Sequence, residues 1–319
     1  MVERRTEALH RDAEGLDTQP PEAILSLLAR GQADAAQSVH AAIPSIASAA
    51  ELIATRLRAG GRVVYAAAGS SGLMALADAL ELPGTFGIAS DRIVVLLAGG
   101  EDALKSLAGA PEDDVAEAET AIADARIGSD DCLIAVSASG STPYAVAALE
   151  AARRRGAATV AIANNPAAPL LEKADISILL ETPPEVIAGS TRMGAGTAQK
   201  IALNMLSTLA AVHLGHVHDG YMVNLVADNA KLRDRAARIV SAVAGCGHEE
   251  ATYFLEKCGG SVKTAILLAA GAGDAETAQR ILERSGHRLR PALSAARGER
   301  ERAVSDLVTT EPEKGLQGD

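Results

Sequence analysis

Two short stretches place hydroxyls and glycines where an apolar run gives way to a small-residue helical pattern. They are Ala67-Ala68-Gly69-Ser70-Ser71-Gly72 and Ser137-Ala138-Ser139-Gly140-Ser141-Thr142. A helix N-terminus leaves backbone N–H groups unpaired and carries a partial positive charge, so it takes an anion without a net basic protein. Ser70, Ser71, Ser139, Ser141 and Thr142 would add hydroxyl donors, while Gly69, Gly72 and Gly140 would let the backbone approach closely. That chemistry suits the phosphate of a small ligand. Helix capping alone explains a single such loop equally well, but two alike in one chain favour phosphate. A dinucleotide fits poorly, because the first loop lacks the first Gly of G-x-G-x-x-G and the chain has no Walker A lysine.

Both loops must be held by a scaffold. Five short apolar runs at 62–67, 93–99, 132–139, 159–164 and 176–181 are continuous rather than alternating, and helical stretches separate them. This is the pattern of an α/β fold with a doubly wound, five-stranded parallel sheet covered on both faces. In such a sheet both Ser/Gly loops emerge at the carboxyl ends of strands, where ligands of open α/β sheets bind. Residues 20–58 predict two N-terminal helices, and the strands stop after about Lys231. The expected organisation is an N-terminal helical segment over 1–60, a phosphate-binding α/β domain over 61–235, a small C-terminal helical module over 236–293 and a charged, disordered tail over 294–319.

Composition excludes several functions. The chain has 319 residues, 48% of them hydrophobic, but only 2% aromatic and no Trp. Stacking of nucleic-acid bases on aromatic side chains is nearly unavailable, and a net charge of −11 repels nucleic acid and anionic membranes alike. The longest apolar helix, 201–216, is interrupted by Asn204, Ser207 and His213, so no membrane span is expected. Cys132, Cys246 and Cys258 form neither a disulfide framework nor a zinc site. With no apolar N-terminal stretch, a cytoplasmic location is expected. His213, His216, His218 and Asp219 lie close enough in sequence to suggest a metal, but the run looks like a helix end entering a loop, and no metal is expected.

The two loops together resemble the SIS (sugar isomerase) domain. Further segments narrow the resemblance. "PPEVIAGSTRMGAGTAQKIALNMLST" is similar to the signature shared by N-acetylmuramic acid 6-phosphate etherases and the glucokinase regulatory protein. "DALELPGTFG", "LLAGGEDALKSLAGAPEDD" and "DGYMVNLVADNAKLRDRAARIV" resemble etherase segments, so that the likeness runs over roughly residues 5–293. It implies the SIS fold and removal of D-lactate from N-acetylmuramic acid 6-phosphate, giving N-acetylglucosamine 6-phosphate in cell-wall sugar recycling.

Carried over by position, Glu81 matches the glutamate assigned as general acid and Glu112 the general base, while Glu101 matches one with no such role. Ser190, Thr191 and Arg192 of the long signature, with Ser137 and the two Ser/Gly loops, match the substrate-binding positions. The partner implied is a small phosphorylated amino sugar, bound by a homodimer with shared active sites. Two carboxyls of opposite protonation state can carry out this reaction without a metal or organic cofactor. Glu81, between Leu80 and Leu82, is expected in an apolar setting that raises its pKa. Glu112, beside Asp113 and Asp114 at a helix start, reads equally well as a cap.

Three family cations are replaced, by Leu73, Ser141 and Gly194. Either Arg192, Lys200 and amide N–H groups suffice, or the anionic substrate differs from the family's. Two other functions stay open: an aldose–ketose isomerase on an amino-sugar phosphate, and a sugar-phosphate-sensing regulator.

Overall fold

The computed structural model describes residues 5–107 and 109–298. The chain forms two compact units, one of residues up to Leu82 together with Ile88–His213, the other of Pro83–Gly87 with the residues from Leu214 on. The first unit therefore ends at His213, ahead of the 235/236 boundary expected from sequence.

In the first unit, α1 (Pro21–Gln37) and α2 (Ile43–Arg58) precede β1 (Val63–Ala67). Then follow α3 (Gly69–Phe86), β2 (Ile93–Leu97), α4 (Val115–Asp124), β3 (Cys132–Ser137), α5 (Pro143–Arg154), β4 (Ala158–Ala163), α6 (Pro169–Lys173), β5 (Ile176–Leu179) and α7 (Gly194–His213). The five strands are all parallel, in the order β2-β1-β3-β4-β5. The strands are continuous apolar runs because both faces are covered. Val64, Ala66, Leu133 and Ala135 pack on one face with Ile122 of α4 and Ala145, Ala148 and Leu149 of α5. Tyr65, between Val64 and Ala66, points to the other face, as strand alternation requires. There its hydroxyl donates to Asp78 of α3 at 2.9 Å. Asp78 is 4% exposed and also accepts from Asn204 and Ser207 of α7, so one buried carboxylate ties β1, α3 and α7 together. Burial raises the pKa of Asp78, and the hydrogen bonds from Asn204, Ser207 and Tyr65 oppose that rise.

The strand order decides where a ligand goes. Crossovers leave β1 in one direction towards β2 and return on its other side at β3, so the crevice opens between the carboxyl ends of β1 and β3. Ala67 and Val136 are paired in the β1–β3 register. The two Ser/Gly loops that follow these strands are thereby brought to one edge.

The second unit carries a short hairpin, β6 (Val217–His218) with β7 (Tyr221–Met222), and the helices α8 (Ala230–Ala244), α9 (His248–Lys257), α10 (Val262–Ala269) and α11 (Ala275–Arg284). Asn229, Ser261 and Asp274 cap α8, α10 and α11, each side chain accepting an amide N–H three residues on. Val240, Ala251, Ile266, Ala278 and Ile281 form its core. Residues 289–298 are helical and add Leu289, Ala292, Leu293 and Ala296 to that core. The tail expected from 294 thus begins no earlier than 299; its remaining residues lie outside those described. The stretch reads as tail in sequence because Ala296 is its one inward apolar residue between 294 and 298 and a run of charges follows in the sequence.

His216 in this unit is pushed down to about 4, mainly by burial and further by Lys263 and His287. A base with a lowered folded-state pKa must bind its proton in the unfolded chain first. Stability from this group is complete above pH 6.5 and falls between pH 6.5 and 4, by up to about 3 kcal/mol. Thermal melts of the wild type should show that loss, and His216→Gln should flatten the profile over the same interval.

Among the described residues, no helix is long and apolar enough to cross a membrane.

Candidate active site

Among the helices that follow strands of the sheet, α3, α5 and α7 each present an N-terminus that is a potential anion site. What occupies each one differs. α3 starts at Gly69 with φ of +54°, and a Cβ there would lie 2.5 Å from a carboxylate oxygen of Glu112. Glycine is needed both for the backbone angle and for this approach. Glu112 therefore reaches the first Ser/Gly loop. It is not the cap of α4: Asp114 fills that role, its side chain accepting from the Glu117 N–H at 2.8 Å. Burial raises the pKa of Glu112, and the neighbouring Asp113 raises it further. Such a shift strengthens a carboxylate as a base.

α7 starts at Gly194, and Glu185 lies across its first turn. Glu185 is 6% exposed. One of its oxygens accepts from the Gly194 N–H at 2.9 Å and the other from the Ala195 N–H at 2.8 Å. This helix end already holds a carboxylate.

α5 is different. Its N-cap residue Thr142 makes no side-chain capping hydrogen bond. The Thr142 hydroxyl instead pairs with the Ser137 hydroxyl at 2.8 Å. Ser137 also accepts from the Gly140 N–H, and Ser139 accepts from the N–H and hydroxyl of Ser141. Gly140 has φ of +67° and a Cβ there would meet that of Ala163 at 2.9 Å, so this tight hydroxyl ring depends on glycine. The Ser/Thr side chains of this loop are consequently not caps. Of these N-termini, α5 is the one whose first turn no side chain caps.

The 190–192 segment is stitched to this loop by residues the sequence reading missed. Asn165 donates to the Ala138 and Ser139 carbonyls and to the Thr6 hydroxyl, and its side-chain oxygen accepts from the Thr6 N–H. The Thr6 carbonyl in turn accepts from Gly189 N–H at 3.0 Å. Thr6 and Asn165 are both buried. The Asn164-Asn165-Pro166 run directly after β4 was the available signal, since paired Asn before Pro marks a chain reversal. Ser190 and Thr191 are half-buried and Arg192 is exposed.

Glu81 is not brought to the other residues within one chain. α3 runs from Gly69 to Phe86, with Pro83 inside it, so the helix carries Glu81 away from the loop. Nine residues of helix beyond Gly72 put it about 13 Å away along the axis. The apolar setting expected for it is also absent, because Glu81 is exposed and Leu80 beside it is 69% exposed. Asp78, three residues earlier, and Leu82, one residue later, take the buried positions. Among the described residues, no group of three or more His, Cys, Asp or Glu side chains could hold a metal ion.

The chain is similar to several known proteins. The SIS domain family matches residues 103–213, and the glucokinase regulatory protein N-terminal SIS domain family matches residues 45–153. An N-acetylmuramic acid 6-phosphate etherase of Deinococcus radiodurans is 47% identical over 285 residues, covering 89% of this chain and 93% of that protein. One of Symbiobacterium thermophilum is 48% identical over 232 residues, covering 73% and 77%. Among solved structures, a phosphoheptose isomerase from Francisella tularensis aligns with a TM-score of 0.43 at 21% identity, over 62% of this chain and 97% of that one.

Proposed function

This chain belongs to the N-acetylmuramic acid 6-phosphate etherase family, and we propose that it cleaves the D-lactyl ether of N-acetylmuramic acid 6-phosphate. The products are N-acetylglucosamine 6-phosphate and D-lactate. The observation that carries the reading is Glu112 lying against Gly69, one strand away from the open N-terminus of α5. A sugar whose phosphate sits on the Ser137–Thr142 loop has its other end within reach of a base.

The reaction is a lyase reaction followed by hydration. In the ring-opened sugar the aldehyde acidifies the hydrogen on carbon 2. Glu112 removes that proton, the double bond forms between carbons 2 and 3, and the lactyl oxygen leaves carbon 3 as it takes a proton from Glu81. Water then adds at carbon 3, and the proton returned to carbon 2 restores the balance. The raised pKa of Glu112, from burial and then Asp113, makes it a stronger base.

Glu81 reaches this site from a second subunit. Its distance from the loop in its own chain supports that arrangement, as does an apolar groove along α2 and α7. Ile43, Ile46, Ala47, Ile201, Met205 and Leu209 line that groove, and Ile43 is 45% exposed. Closing it against a second copy would bury apolar surface that otherwise faces water.

Incubating the protein with N-acetylmuramic acid 6-phosphate and assaying lactate tests the proposal. A ketose product would instead mean an isomerase, and binding without turnover a sensor. Within the phosphate loop, Ser139→Ala and Thr142→Ala should each weaken sugar-phosphate binding by about 1–3 kcal/mol, the worth of a hydrogen bond to a charged group. Titration calorimetry reads the change, and unaltered affinity in both variants would remove the phosphate from this loop.

A further inference from the structure

We infer that Glu185 is a positioning residue for substrate binding. Its carboxylate clasps the two ends of the 185–195 loop and so sets Ser190, Thr191 and Arg192 at the sugar-phosphate site. The inference rests on the activity proposed above, but its geometry stands separately. Glu185 is the last residue before the loop, and its two oxygens hold the amides of Gly194 and Ala195 at the loop's other end. Within the loop, Gly196 N–H donates to the Thr191 carbonyl and Thr197 N–H to that of Met193, so the first turns of α7 carry the 191–193 backbone with them. The Gly189 N–H is tied to Thr6, which also touches the Asn165 that holds the phosphate loop. The clasp therefore closes the two ends of the loop, and Thr6, through Asn165, ties its Gly189 to the Ser139 backbone.

The ionised carboxylate is specifically required. Both oxygens accept, and a glutamine would turn an NH2 donor towards one of the two amide donors. A negative charge also suits the N-terminus of this 20-residue helix. Gly194 belongs to the same device. A Cβ at that position would lie 3.0 Å from the Glu185 carboxylate and 3.1 Å from the Ala35 Cβ. The position where the family resemblance implies a lysine is, in this chain, a glycine over which the clasp closes. Glu185 also keeps a phosphate off α7, leaving Arg192 to meet substrate as a side chain on a fixed backbone.

The test compares Glu185→Gln, Gly194→Ala and Arg192→Ala, singly and with Glu185→Gln and Arg192→Ala combined. Lactate release from N-acetylmuramic acid 6-phosphate gives kcat and KM. Hydrogen exchange of the 186–195 backbone is followed without substrate. Glu185→Gln should raise KM at least tenfold with kcat changed less than threefold, and exchange should quicken in 186–195 while the sheet stays protected. Gly194→Ala, which keeps the charge and crowds the clasp, should move KM the same way by less. Adding Arg192→Ala to Glu185→Gln should cost little more than either alone, since both act through one contact. Unchanged KM with a lowered melting temperature, or effects that multiply in the double variant, would make Glu185 a structural cap only and overturn the inference. If the wild type released no lactate, the activity would fall instead. The clasp would then be judged on exchange and on affinity for N-acetylglucosamine 6-phosphate, with unaltered values in Glu185→Gln overturning it.

Discussion

Glu112→Gln should lower kcat by roughly 10²–10⁴-fold, the contribution of a positioned general base, and leave the fold intact. Exchange of the carbon 2 hydrogen with heavy water should disappear together with lactate release, because both begin with removal of that proton. Glu81→Gln should separate them, blocking lactate departure while slow exchange persists. The pH dependence follows from the environment of Glu112. Burial, and after it Asp113, raises the pKa of this carboxyl above the ordinary glutamate value. The base works only when deprotonated, so activity should fall on the acid side at a pH above that usual for a glutamate. Asp113→Asn removes the neighbouring negative charge, lowers the pKa of Glu112 and should shift this acid limb to lower pH. A limb that stays in place, or moves up, would separate Asp113 from the base, and normal exchange in Glu112→Gln would remove Glu112 from the chemistry.

Mixing two inactive proteins, Glu81→Gln and Glu112→Gln, should restore about a quarter of the wild-type activity. In a two-fold dimer with exchanged acids, each site takes Glu112 from one chain and Glu81 from the other. A mixed dimer then has one site with both carboxyls and one with neither. Random exchange makes half of all dimers mixed, so about a quarter of all sites are complete. A mixture that stays inactive, with subunit exchange shown by native mass spectrometry, would place both carboxyls in one chain. Glu81 would then have to cross some 13 Å of continuous helix.

The scaffold is the part that could be read from the chain. Continuous runs such as Val63–Ala67 and Cys132–Ser137 are apolar because two layers of helix cover them, and that requirement writes itself into consecutive residues. The two Ser/Gly loops were legible for a similar reason, each lying wholly within one strand-to-helix junction. What escaped depends on meetings between distant residues. Glu112 looked like a helix cap because Asp113 and Asp114 stand next to it, and nothing local says that it reaches Gly69. Glu185 reads as one acid in a proline-rich stretch until its carboxylate meets the first turn of α7. Glu81 misled in the opposite sense. Leucines on both sides suggest burial, whereas the helix places Asp78 inward and turns Glu81 and Leu80 out.

The bridge between Thr6 and Asn165 has a consequence for how the protein is made. Those residues are 159 positions apart, and the chain leaves the ribosome from its N-terminal end. At roughly 5–20 residues per second, Thr6 waits roughly 8–30 s before its partner has been synthesised. Throughout that interval α1 and α2 have no α7 to cover them, and their apolar faces are open to chaperones and proteases. The phosphate loop therefore gains this support only once the residues after β4 have been made.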